Sequence, residues 1–173
     1  MNKLIGTTLF GSLRGVLIAF LFTVFTACAG GITYHSFAFD ARQDSPDVQI
    51  LDYRYGDSKQ PSARADDEDV KAERVRQYVG ISGEILRGDF LYVKWRVKST
   101  GRRYEDTVDL KSRLPRDIVK NEIYFIVQGA QLFVYLITPE LRPQDTEPSG
   151  PREYQHRKVI TLSSNFGREV TTQ

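Results

Sequence analysis

One cysteine, two histidines and a block of four consecutive acidic residues are the side chains from which this chain could assemble chemistry. Cys28 has no second cysteine to pair with, so its thiol is free for modification rather than for a disulfide. His35 and His156 are the only candidates for a general base that titrates near neutrality. The block Asp66-Asp67-Glu68-Asp69 offers carboxylates to a cation, but it lacks the glycine and the closing glutamate of a calcium-binding loop. No nucleophile elbow, phosphate-binding glycine loop, zinc-binding helix motif or dinucleotide fingerprint occurs, and no cofactor is expected.

The surroundings of Cys28 are the most telling. Lys3 and Arg14 are the only charges before Asp40, and residues 15–27 are uncharged and apolar up to Phe25-Thr26-Ala27. A positive start, a short apolar run and small residues before a cut describe a secretory signal peptide, here residues 1–27. The run falls short of the ~20 apolar residues that span a bilayer. A cysteine at this junction resembles the lipobox of bacterial lipoproteins, which implies cleavage after Ala27 and a lipidated Cys28. Acyl chains contribute ~0.8 kcal/mol per buried methylene, so several of them hold a protein firmly to a membrane. Ala29 stands where an aspartate would imply retention at the inner membrane, so the expected address is the outer membrane, facing the periplasm. An ordinary cleaved signal with a free cysteine, and an uncleaved anchor, remain the plainer alternatives.

Behind the leader the chain is neutral, with 22 basic and 22 acidic side chains from Cys28 onward. That balance argues against nucleic acid as a partner, which selects for basic patches. Residues 28–46 are expected to form a lipidated tether, and 47–173 a single β domain. A domain of this size buries enough surface to fold on a hydrophobic core alone.

Residues 48–55 and 77–86 read as strands, separated by a polar loop at 57–75 that carries the acidic block. In Phe90–Lys98, Leu91, Val93, Trp95 and Val97 alternate with Tyr92, Lys94, Arg96 and Lys98, the pattern of a half-buried strand. Tyr104–Leu110 is its expected hairpin partner. A loop over 100–103 would pair Ser99 with Tyr104, Trp95 with Val108, Lys98 with Glu105 and Lys94 with Asp109, leaving Asp106 against Val97 as the one mismatch. A second hairpin joins 123–128 to 131–137 through Gly129-Ala130, a composition suited to a two-residue type II′ turn. One of its faces carries Ile123, Phe125, Val127, Leu132, Val134 and Leu136, and the other Tyr124, Ile126, Phe133 and Tyr135. A turn or short helix is expected at 114–120, a proline-rich loop at 139–152, and a last strand at 157–162 before a polar tail. The fold class is therefore mainly β, an antiparallel sandwich or curled open sheet of about six to eight strands with little helix.

Three surfaces are candidates for binding a partner. Asp66, Asp67, Glu68 and Asp69 form either a solvated loop or an acidic docking element. Tyr92, Lys94 and Arg96 form either a stripe for lipid headgroups or an anionic partner, or a solvated sheet face with cross-strand ion pairs. Tyr124, Phe133 and Tyr135 are either covered by the 139–152 loop or partly exposed as an interface.

His156-Arg157-Lys158 matches the first residues of the phospholipase D motif, but Ser163 stands where its aspartate belongs and no second copy exists. The domain itself resembles a group of small outer-membrane lipoproteins that accompany type VI secretion lipase effectors. The resemblance rests on Cys28, Asp47–Gly56, the strand Tyr92-Val-Lys-Trp-Arg96, Tyr104–Leu110 and the 123–137 hairpin. It implies a non-enzymatic immunity protein that binds and occludes a secreted phospholipase or lipase toxin. A structural or assembly role in the envelope is the alternative.

Overall fold

The computed structural model describes residues 31–171, which form nine strands in two sheets. One sheet has the order β3-β1-β6-β7-β8, built from β1 (Ile32–Asp40), β3 (Tyr78–Leu86), β6 (Glu122–Gln128), β7 (Gln131–Leu141) and β8 (Arg157–Phe166). The other has the order β2-β4-β5-β9, built from β2 (Val48–Tyr55), β4 (Phe90–Val97), β5 (Arg103–Asp109) and β9 (Arg168–Glu169). Their inner faces form one core, in which Phe37, Phe39 and Phe125 meet Tyr53, Tyr55, Val93 and Trp95. The expected mainly β sandwich is what forms. The strand pairs are antiparallel except β1–β6, which run parallel.

Two expectations about the chain ends are corrected. The stretch assigned to a tether supplies β1, which lies inside its sheet between β3 and β6. Thr33, His35, Phe37 and Phe39 alternate toward the core, and the last three are buried. The domain therefore begins at Ile32 rather than at 47. At the other end, the tail adds Arg168 and Glu169 to the edge of β5. Those additions raise the strand count to nine.

The second hairpin forms as read. Gln128 pairs with Gln131 and Ile123 with Leu136, and Gly129 takes φ +58 in the turn. The first hairpin is displaced by four residues from its expected register. Trp95 faces Tyr104, Leu91 faces Val108 and Lys94 faces Glu105, because the chain reverses over 98–101, with Gly101 at φ +70. Val97 N–H donates to the Arg102 carbonyl and closes that loop. An even displacement keeps every side chain on its expected face, so Leu91, Val93, Trp95 and Val108 are still buried. The expected pairs Lys98–Glu105 and Lys94–Asp109 do not form. Strand β7 runs on through Pro139 to Leu141, with a pairing irregularity between Ile137 and Leu141 that accommodates the proline.

Candidate functional site

A cleft of ≈ 490 Å³ lies beside β2, lined by the crossover that leads from β2 to β3. Its floor contains the buried Tyr53, Ala65 and Val75. Burial pushes the Tyr53 hydroxyl up to about 12, so it stays protonated. Lys59, Arg64, Arg76, Asp66, Asp67 and Asp69 line the walls.

The crossover is held along its length. Tyr55 N–H donates to the Ala63 carbonyl at 2.8 Å, and Ala65 N–H to the Tyr53 carbonyl at 3.0 Å. Asp66 caps a one-turn helix, α2 (Asp67–Lys71), by accepting from Glu68 N–H at 2.9 Å. At its far end the Gln77 side chain bridges to Ile50, accepting from its N–H and donating to its carbonyl. Between these points Glu73, at φ +51, is clasped by Arg103 at 2.7 Å and Arg96 at 3.1 Å, from the neighbouring strands β5 and β4. Gln49 on β2 completes the clasp by donating to the Glu73 carbonyl. A segment that reads as a loose polar loop is thus tied to three strands of one sheet.

The acidic block does not present four free carboxylates. Asp67 pairs with Arg64, and Asp69 with Arg74 at 2.9 Å, while Asp66 is engaged as the cap. Glu68 alone of the four makes no side-chain bond among the described residues. The cleft is therefore of mixed charge rather than acidic, with the exposed Arg76 and Lys59 unpaired among the described residues.

The Tyr92, Lys94, Arg96 stripe lies on the outer face of the β2-β4-β5-β9 sheet, half buried. Arg54 stacks over the Tyr92 ring at 5.0 Å, and the Tyr92 hydroxyl donates to Glu105 at 3.1 Å. Arg168 also reaches Glu105. Arg96 is committed to Glu73. Among the described residues Lys94 is in no ion pair, and it sits between Asp52 and Glu105 on the flanking strands.

The aromatic face of the second hairpin is covered by the chain itself. Tyr154, from a short 3-10 turn at Arg152–Tyr154, packs edge-on against Tyr124 with ring centroids 5.6 Å apart. Tyr124 is buried and donates to Asp44 at 2.8 Å, in the helical turn α1 (Ala41–Asp44). Tyr135 is buried too, so Phe133 is the one of the three that keeps partial exposure. Beside this layer a shallower groove of ≈ 300 Å³ has Ser36, Ala38 and Gly80 in its floor, and Tyr78, Tyr154 and Glu122 at its sides. Desolvation holds Glu122 above the usual carboxylate range, while the Tyr154 hydroxyl, donating at 3.0 Å, pulls it the other way.

Both nitrogens of His35 are engaged, with the Tyr55 hydroxyl at 2.8 Å and the Thr33 carbonyl at 2.9 Å. It is fully buried, and desolvation lowers its pKa, so it is neutral at physiological pH. Tyr55 in turn stacks on Phe37 at 4.7 Å. His156 is exposed in the turn before β8. Cys28 lies outside the described residues.

Sequence reasoning missed Glu73, Arg103, Gln49 and Gln77, because each works through a partner more than 20 positions away. Arg64 and Arg74, flanking the acidic block, were the one local hint that its charge is answered from within. The chain matches no known protein family, no curated protein and no solved structure.

Proposed function

We propose that this protein is a lipid-anchored, periplasm-facing binding protein of the outer membrane that neutralises a secreted phospholipase or lipase toxin by occluding it. The observation that carries the reading is the cleft beside β2. Its walls carry charges of both signs on a crossover already pinned to the sheet, so a partner segment would dock without having to order it. Preorganisation of this kind favours binding because little conformational entropy is lost on association. The lipidated-cysteine junction in the sequence supplies the address.

The correction to the acidic block changes how occlusion is expected to work. A simple acidic plug would be steered by four like charges, whereas the mixed cleft would recognise a partner strand or loop of alternating charge. The test is affinity capture with the acylated mature protein, followed by phospholipid hydrolysis by the captured lipase with and without an equimolar amount of it. Abolished hydrolysis supports neutralisation, and Arg64→Glu with Arg76→Glu should then slow association, most at low salt. Capture of envelope-assembly components, with hydrolysis untouched, overturns it.

A further inference from the structure

Three residues, 29–31, separate Cys28 from the first residue of β1. Even fully extended, the chain from Cys28 to Ile32 spans only about 13–14 Å. Gly31 is already fixed at the sheet, because its carbonyl accepts from Arg87 N–H at 3.2 Å. If Cys28 carries acyl chains in a bilayer, the domain has no slack with which to stand away from the headgroups.

The end of the sandwich where β1 begins is composed for that position. Ile32 and Tyr34 project from it 72 % and 51 % exposed, and Val119 joins them at 47 %. Val119 is held there because the next residue, Lys120, donates its N–H to the Tyr34 carbonyl at 2.8 Å. The Arg87 guanidinium donates to the carbonyls of Arg116 and Leu114, which pins the 111–120 turn beside the strand end. That turn carries Lys111, Arg113, Arg116 and Lys120 against a single acid, Asp117. Lys111, Arg116 and Lys120 are exposed and in no ion pair among the described residues. Asp57, Glu84, Asp89 and Asp109 are the other acids at this end, and Asp109 is held by Ser112 at 2.7 Å, so the basic excess belongs to the 111–120 turn itself. Exposed apolar side chains beside a basic turn are what an anionic lipid surface attracts, by insertion of the former and Coulomb attraction of the latter.

We propose that this end of the molecule, centred on Ile32, Tyr34, Val119 and the 111–120 turn, rests on the anionic phospholipid headgroups of the membrane that holds the anchor. The inference rests on the reading that Cys28 is lipidated. It gives the domain a fixed orientation, in which the 98–101 and 129–130 turns point away from the bilayer.

The test uses acylated protein in vesicles of phosphatidylethanolamine with a minority of phosphatidylglycerol. Lipidation consumes the Cys28 thiol, so a cysteine introduced by Val119→Cys is the sole site for a fluorophore. Quenching by headgroup-nitroxide lipid should be at least about twofold stronger there than at Thr100→Cys, at the opposite end, and should fall with salt and with Arg116→Glu. Equal quenching at both sites on acylated protein overturns the orientation and leaves the anchor standing. A mass spectrum showing unmodified Cys28 overturns both.

Discussion

The two hairpins, β6–β7 and β4–β5, carry the same kind of alternating pattern and yet were not equally legible. In β6–β7 both faces are apolar and the turn is two residues long, with Gly129 in the left-handed region. A turn that short leaves one register open to it, so sequence and structure agree residue by residue. In β4–β5 one face is buried and the other carries charges, and the reversal occupies four residues. The period of two decides which face a residue takes, but it does not decide between registers that differ by an even number. The charge pairs that favoured the expected register are surface pairs worth ~0–1 kcal/mol each, less than the stacking of Trp95 on Tyr104 can supply.

Trp95 is where the two hairpins meet. It is fully buried on β4, and its indole N–H donates to the Gly129 carbonyl in the β6–β7 turn at 2.9 Å. Trp95→Ala should therefore remove both packing and the tie between the hairpins, lowering unfolding free energy by about 3–5 kcal/mol in urea titration. A loss below about 1 kcal/mol would show the hairpins to be energetically independent.

The next contrast sets two tyrosines against each other. Tyr124→Phe, on the hairpin buried on both faces, strands the Asp44 carboxylate that accepts its hydroxyl and should cost about 1–2 kcal/mol. Tyr92→Phe, on the solvated face of β4, should stay within about 0.5 kcal/mol by the same titration. Equal losses would mean that the charged face of β4 is as ordered as the covered face of β6.

A third variant probes the weak point of β5. Asp106 faces Val93 and leaves one carboxylate oxygen buried without a partner among the described residues, so Asp106→Val should raise the unfolding free energy by about 1 kcal/mol in urea titration. A drop instead would show that the carboxylate is stabilised where it stands.

The smallest effect is a pH dependence. Burial raises Glu122 above its ordinary 4.5, so the folded state holds its proton to higher pH than the unfolded chain does. Its contribution is fully present below 4.5 and is lost as pH rises through the folded value. Glu122→Gln should remove that loss, leaving the variant more stable relative to wild type at pH 7 than at pH 4.5 when thermal midpoints are compared. His35 works in the opposite sense. Its lowered pKa gives stability that is present above 6.5 and lost below it, and this part of the profile should be unchanged in the Glu122 variant.

The order of residues already dictates which face of each strand a side chain takes. Alternation along 90–98, 104–110, 123–128 and 131–137 placed the core side chains of those four strands, because a pleated strand points successive residues to opposite sides whatever its partner is. Residue order also dictated the tight Gly129-Ala130 turn, since that depends on a few adjacent residues. Only the tertiary structure decided which strands neighbour which, that 32–40 is a central strand rather than a tether, and that the acidic block is answered by Arg64 and Arg74. It alone brought Glu73 to Arg96 and Arg103, and it alone set the start of β1 at Ile32. Those outcomes depend on contacts between residues far apart in the chain, where the balance of burial, charge pairing and loop closure belongs to no local segment.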